Sequence, residues 1–242
     1  MANLVLDITP VAPIQQMFND PFLNPLRVAI AAENAGVDGI ALIFSPQNAG
    51  ISREEVEMVR KNTATFLNMM VPFHPEAIRH AQSIAPDMVT LVNLAGKTSD
   101  PLPLPITEMA EDVQSVVTDL KANGISVALF IEPEFDNLKV VGKLDADGVI
   151  LDCRAFTEAP DSNARLLAEE NLQTTARGAF KLGLGVHLMG NIEREHLRQL
   201  KSLPFVEDMI VGKAVLKRAF FSGLDTVIQQ MRTMMWSDRE NI

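Results

Sequence analysis

Apolar residues along this chain alternate between two periods. Short, nearly continuous runs recur as LVLDI (4–8), GIALIF (39–44), FLNMM (66–70), MVTLV (88–92), SVALFI (126–131), GVILD (148–152), GVHLM (185–189) and DMIVG (208–212). Each is too short for a helix, and the second is led in by Asp38-Gly39 and stopped by Ser45-Pro46, which predicts buried strands. Between the runs, apolar positions return every three or four residues. That spacing predicts helices over 26–35, 53–65, 75–84, 106–123, 135–143, 162–182, 194–203 and 214–235. Ser52 and Glu55 form a capping box that sets the start of the second of these.

The junctions repeat as well. Helices run into strands through Gly or Asp-Gly in AGVDGIAL, ANGISVAL, DADGVIL and KLGLGVHL, where a glycine permits the left-handed turn of a short loop. Eight such units over 242 residues predict a single-domain (β/α)8 TIM barrel spanning 1–242. No GxGxxG follows the first strand to favour an open dinucleotide-binding sheet. GKTSDPLPLPI, after the fourth strand, is the one irregular loop and reads as a rigid connector or a lid.

Charge narrows the partners. A formal net charge of -10 repels phosphodiester backbones and anionic membrane surfaces, so neither nucleic acid nor membrane is an expected partner. The one cysteine, Cys153, excludes an intramolecular disulfide framework. No apolar run approaches a membrane span and the first residues lack a signal-peptide pattern, which predicts a cytoplasmic protein. His74, His80 and His196 show no HxH or HExxH spacing, and neither a metal nor a cofactor is expected.

In such a barrel, chemistry gathers at the carboxyl ends of the strands. Those of strands two and three are apolar. The others deliver Asp7, Glu132, Asp152, Arg154, His187 and Lys213. Asp7, Glu132, Asp152 and His187 are the candidates for proton transfer, and Arg154 for binding an anionic group. Structural alternatives stand beside each. His187 suits a hydrogen-bonded core position, Asp7 and Asp152 suit bonds to loop amides, Glu132 suits the lead into a helix, and Arg154 suits an ion pair with either Asp. Cys153 reads as inert. The clearest local signal is MGN (189–191) with VGKAVLKRA (211–219). Gly190, Asn191, Gly212 and Lys213 there form a candidate phosphate cradle at the start of a helix, unless the glycines merely turn the chain.

At these residues the chain resembles the pyridoxine 5′-phosphate synthase family. The resemblance rests on NPLRVAIAAENAGVDGIALI (24–43), GISVALFIE (124–132), LGLGVHLMGN (182–191) and VGKAVLKRAFFSGLDTVIQQMRTMM (211–235). It implies a TIM barrel, assembly into homo-oligomers, and a condensation of deoxyxylulose phosphate with an amino-ketone phosphate into the vitamin B6 ring. The family's own motifs are altered. Where it places a His after the second strand, a Glu ending the third and a later His in NAGHG, this chain has Ile43, Met70 and Gly190. NxDH becomes Asp7-Ile8-Thr9-Pro10, the acidic residue of the sixth strand falls near Ile150, and the proline-bearing loop replaces the segment after strand four. IGHA survives as Val211-Gly212-Lys213-Ala214. One positioned acid or base is worth about 10² to 10⁴ in rate. The expectation is therefore a divergent member that binds a phosphorylated small molecule at the ends of strands seven and eight. The competing readings are a non-catalytic binding or assembly subunit, its pocket filled by Ile43, Phe44, Met69 and Met70, and a synthase with rearranged residues.

Overall fold

The computed structural model of the protein describes residues 2–18, 21–45, 51–94 and 100–236. Each predicted apolar run is a strand: β1 (Asn3–Asp7), β2 (Gly39–Ile43), β3 (Phe66–Pro72), β4 (Met88–Leu94), β5 (Ser126–Ile131), β6 (Gly148–Asp152), β7 (Gly185–Met189) and β8 (Val206–Val211). Neighbours in sequence pair in parallel, and the β1 to β8 pairing completes the ring. The result is a closed (β/α)8 barrel, as the eight-unit spacing predicts.

Strand alternation divides the apolar residues into two cores. Leu4, Leu6, Ile40 and Leu42 face outward and pack with the helices, whereas Val5, Ala41, Ile43, Met70, Phe130 and Ile150 fill the barrel. Runs with no polar alternation are what strands covered on both faces require. The Ser52 capping box forms, with its hydroxyl accepting from the Glu55 amide at 3.3 Å and the Glu55 carboxylate accepting from the Ser52 amide at 3.0 Å.

Four helices depart from the periodic reading, one of them the single turn Arg154–Thr157 after β6, too short to show a period. The final one, expected unbroken over 214–235, is two helices, Lys213–Ser222 and Leu224–Trp236. Gly223 between them has φ +81° and ψ 149°, which no helix accommodates. The helix expected over 194–203 shrinks to Leu197–Leu200, because bonds from His196 to Glu193 and from Leu197 to Arg194 span three residues and tighten the turn. A helix at Val11–Phe18 was not legible, since Pro13 and Gln15-Gln16 interrupt its apolar face. In the irregular loop, Pro101–Leu102 pairs antiparallel with Asn93–Leu94, and residues 95–99 lie outside the described ones.

His187 belongs to the barrel floor. On β7 it faces inward but stands two residues short of the strand end. A register shift against β8 leaves His187 opposite Asp208, with Nδ1 2.7 Å from Asp208 Oδ2. Burial pulls the Asp208 carboxyl upward, but the His187 bond and charge, with the Asn3 amide at 2.9 Å, outweigh it and hold its pKa below the usual range. Removing the ring leaves a mostly buried carboxylate without its main partner. His187→Gln is therefore expected to cost roughly 2 to 4 kcal/mol in urea unfolding.

Candidate functional site

A cleft of about 590 Å³ opens at the carboxyl ends of β6, β7, β8 and β1, a size that suits a small molecule. Asp7, Arg154, Gly190, Asn191, Gly212 and Lys213 line it, so six of the nine predicted site residues share one cavity. Asp152 lies directly behind Arg154, Glu132 stands beside that pair, and His187 is remote, on the floor.

Asp7 ends β1 as the carboxyl that faces the cleft. Its Oδ1 accepts from the Thr9 amide at 2.9 Å and the Thr9 hydroxyl at 2.5 Å. The Thr9 oxygen in turn accepts from the Ile43 amide at 2.8 Å. Oδ2 has no donor among the described residues and lies against Gly212, where a Cβ would sit 3.1 Å from it. Burial pushes the carboxyl up to about 6; the Thr9 bonds oppose the shift, Asp100 adds to it and Lys213 opposes it. A carboxyl with one oxygen fixed, the other open and a pKa near neutrality can take or give a proton.

Gly190 and Gly212 are required by their surroundings. At Gly190, with φ +122°, a Cβ would meet Asp152 Oδ1 at 2.5 Å and the Cys153 amide at 2.9 Å; at Gly212 it would meet the Asp7 carbonyl oxygen at 2.9 Å. Gly212 opens the helix Lys213–Ser222. The amides of Val215 and Leu216 both donate to the Gly212 carbonyl, whereas those of Lys213 and Ala214, at the first turn and lining the cleft, have no acceptor inside the helix. Such amides suit an anion. Lys213 Nζ meets Asp100 Oδ1 at 2.5 Å, both side chains being about half exposed. Asn191 donates to Glu158, and Lys217 pairs with Glu193.

Arg154 is occupied. Its Nε lies 3.0 and 2.8 Å from the two Asp152 oxygens, its Nη2 2.5 Å from Oδ2, and its backbone amide donates to Oδ1 at 3.0 Å. This is the ion pair of the structural alternative, with Asp152 only 3% exposed. At Glu132, partial burial and then the Asp152 charge raise the pKa, while Arg154 opposes them. The Cys153 thiol is fully buried and burial pushes its pKa upward, away from the reactive thiolate.

On the opposite side of the mouth, Ile43 and Met70 have no exposure and pack with Val92 inside the barrel. Among the described residues, the ionisable groups at the strand ends therefore gather on one side. Asp100, Arg165, Glu193 and His196 also line the cleft. They come from loops and a helix start beyond the strand ends, and reading each βα connection into its helix's first turn would have found all but Asp100.

Comparisons with known proteins agree with this architecture. Two solved barrels superpose on nearly the whole chain: phosphoribosyl anthranilate isomerase from Thermotoga maritima (TM-score 0.62, 13% identity, 98% of this chain and 100% of that one) and a mutant tryptophan synthase alpha-subunit from Pyrococcus furiosus (TM-score 0.61, 16% identity, 96% and 97%). At those identities they speak for the fold alone. Pyridoxine 5′-phosphate synthases from Syntrophobacter fumaroxidans and Geotalea daltonii are 28% and 29% identical, covering 97% and 96% of this chain and 99% and 97% of their own. The family model described as "Pyridoxal phosphate biosynthesis protein PdxJ" matches residues 4–237, and the chain belongs to that family.

Proposed function

We propose that this PdxJ-family protein binds a phosphorylated small molecule at the β7 and β8 rim and transfers a proton to or from it through Asp7. The phosphate would sit on the Lys213 and Ala214 amides, with Gly190-Asn191 forming the opposite wall and Lys213 supplying charge. The observation that carries this reading is the juxtaposition at Gly212. A helix start with open amides and the open oxygen of a carboxyl of raised pKa meet across one glycine. The family's condensation is not part of the proposal, because Ile43, Met70 and Gly190 stand at its proton-transfer positions. A second reading, a non-catalytic binding subunit, is favoured by the buried packing of Ile43 and Met70. In that case Asp7 is dispensable for function and only the cradle matters.

Calorimetric titration with glycerol 3-phosphate tests the cradle. The protein is expected to bind it and not glycerol, and Lys213→Gln to weaken binding roughly tenfold, the worth of a charge-assisted contact. A phosphate must displace Asp100 from Lys213. That exposed pair is worth at most about 1 kcal/mol, so Asp100→Asn is expected to tighten binding roughly two- to fivefold. Absence of binding, or affinity indifferent to both substitutions, contradicts the reading.

A further inference from the structure

The cleft continues past Gly190 into a second wing, between the first turn of the helix Ser162–Lys181 and the loop after β7. Arg165 enters from the helix and His196 from the loop. Among the described residues, the other cations lining the cleft each have a carboxylate partner: Arg154 has Asp152, Lys213 has Asp100 and Lys217 has Glu193. Arg165 has none. Its guanidinium lies 5.6 Å from the Phe156 ring centroid, and it stands in the first turn of a 20-residue helix, where the macrodipole disfavours a cation. Among the described residues that ring is its one partner, and no carboxylate offsets the placement. The wing's carboxylates are engaged elsewhere, Glu158 with the Asn191 amide and Glu195 with Arg218.

His196 supplies a second donor. It is 6% exposed, and its Nδ1 accepts from the Glu193 amide at 3.1 Å. Burial lowers its pKa, with Arg165 adding to the shift and Glu195 and Glu193 opposing it, so the ring is neutral at pH 7. With Nδ1 accepting, the proton of a neutral imidazole is on Nε2. That N–H has no acceptor among the described residues, and the ring lines the cleft.

We infer that Arg165 and His196 form a subsite for a second anionic group, so that the ligand of this cleft is a small molecule carrying a phosphate at one end and a carboxylate or second phosphate at the other. This rests on the phosphate reading above and adds what the far end of the molecule must be. A guanidinium with no carboxylate partner beside a neutral N–H donor offers an anion a charge and a directed hydrogen bond, and a hydroxyl gains much less there.

The test uses matched ligands that differ in the second group alone: 3-phosphoglycerate against glycerol 3-phosphate, and the longer 6-phosphogluconate against sorbitol 6-phosphate. Calorimetry on the whole protein is expected to show a roughly tenfold preference for the acid in at least one pair. Arg165→Gln removes that preference and leaves the affinity of the partner without the carboxylate unchanged, and Arg165→Lys retains part of it. A crystal structure with the preferred acid, independent of any variant's folding, shows its carboxylate on Arg165 and His196. Equal affinities in both pairs, or an Arg165→Gln loss that falls equally on both members of a pair, overturns the subsite while leaving the phosphate reading intact. Failure of all four ligands to bind overturns both.

Discussion

Gly190→His, which introduces the histidine that the resemblance to the synthase family places at this position, is expected to destabilise the protein by about 3 kcal/mol or more and to produce no condensation activity. The backbone there has φ +122°, and a Cβ would stand 2.5 Å from Asp152 Oδ1. Left-handed strain in a non-glycine residue costs on the order of 1 to 3 kcal/mol, and overpacking adds a comparable amount. The neighbours cannot yield cheaply. Asp152 is held by Arg154, and the Cys153 amide donates to the Met189 carbonyl at 2.7 Å. The Gly190 carbonyl itself accepts from Thr157 at 3.0 Å. The loop's path thus leaves no room for a side chain at this position. Urea unfolding of the variant, with an assay on the family's two substrates, checks it. A stable and active Gly190→His protein would mean that the loop tolerates a side chain.

Asp7→Asn has the second large effect, and its sign is opposite. The folded pKa of about 6 lies above the ordinary value of 3.8, so the folded state holds a proton that the unfolded chain has released. This contribution to stability is complete below about pH 4 and lost as pH rises through about 6. Two units correspond to roughly 3 kcal/mol at most. An amide pays no such penalty, and its oxygen still accepts from Thr9. Asp7→Asn is accordingly expected to raise Tm at pH 7.5 and to flatten the stability profile between pH 4 and 6. Any turnover on the phosphorylated ligand should fall by roughly 10² or more. A lowered Tm at pH 7.5 would place Asp7 in a purely structural role, and unchanged turnover would favour the binding-subunit reading.

The barrel was legible because each strand is covered on both faces and each helix on one, so burial writes itself into the apolar pattern. The capping box at Ser52 is local and equally readable. His187 shows where such reading stops. The sequence places it near a strand end, but two residues decide whether an inward side chain meets the ligand or the floor, and its partner Asp208 is chosen by a register shift between strands. Asp100 meets Lys213 only because the barrel closes and brings two distant loops together. Arg154 and Asp152 are adjacent enough to pair on sequence grounds, but that the pair takes up the Nε and Nη2 edge of the guanidinium is a matter of side-chain geometry. Local periodicity sets the frame, whereas the direction of polar groups within it is set by closure.

The proposed function turns on an anion seat at the start of the helix that follows β8, beside an open carboxyl oxygen. A crystal structure of the protein soaked with glycerol 3-phosphate tests it most directly. Phosphate oxygens are expected within hydrogen-bonding reach of the Lys213 and Ala214 amides, with the rest of the ligand against Asp7 Oδ2 and Asp100 withdrawn from Lys213. Phosphate bound elsewhere, with the Asp100 to Lys213 pair still closed at saturating ligand, would contradict it.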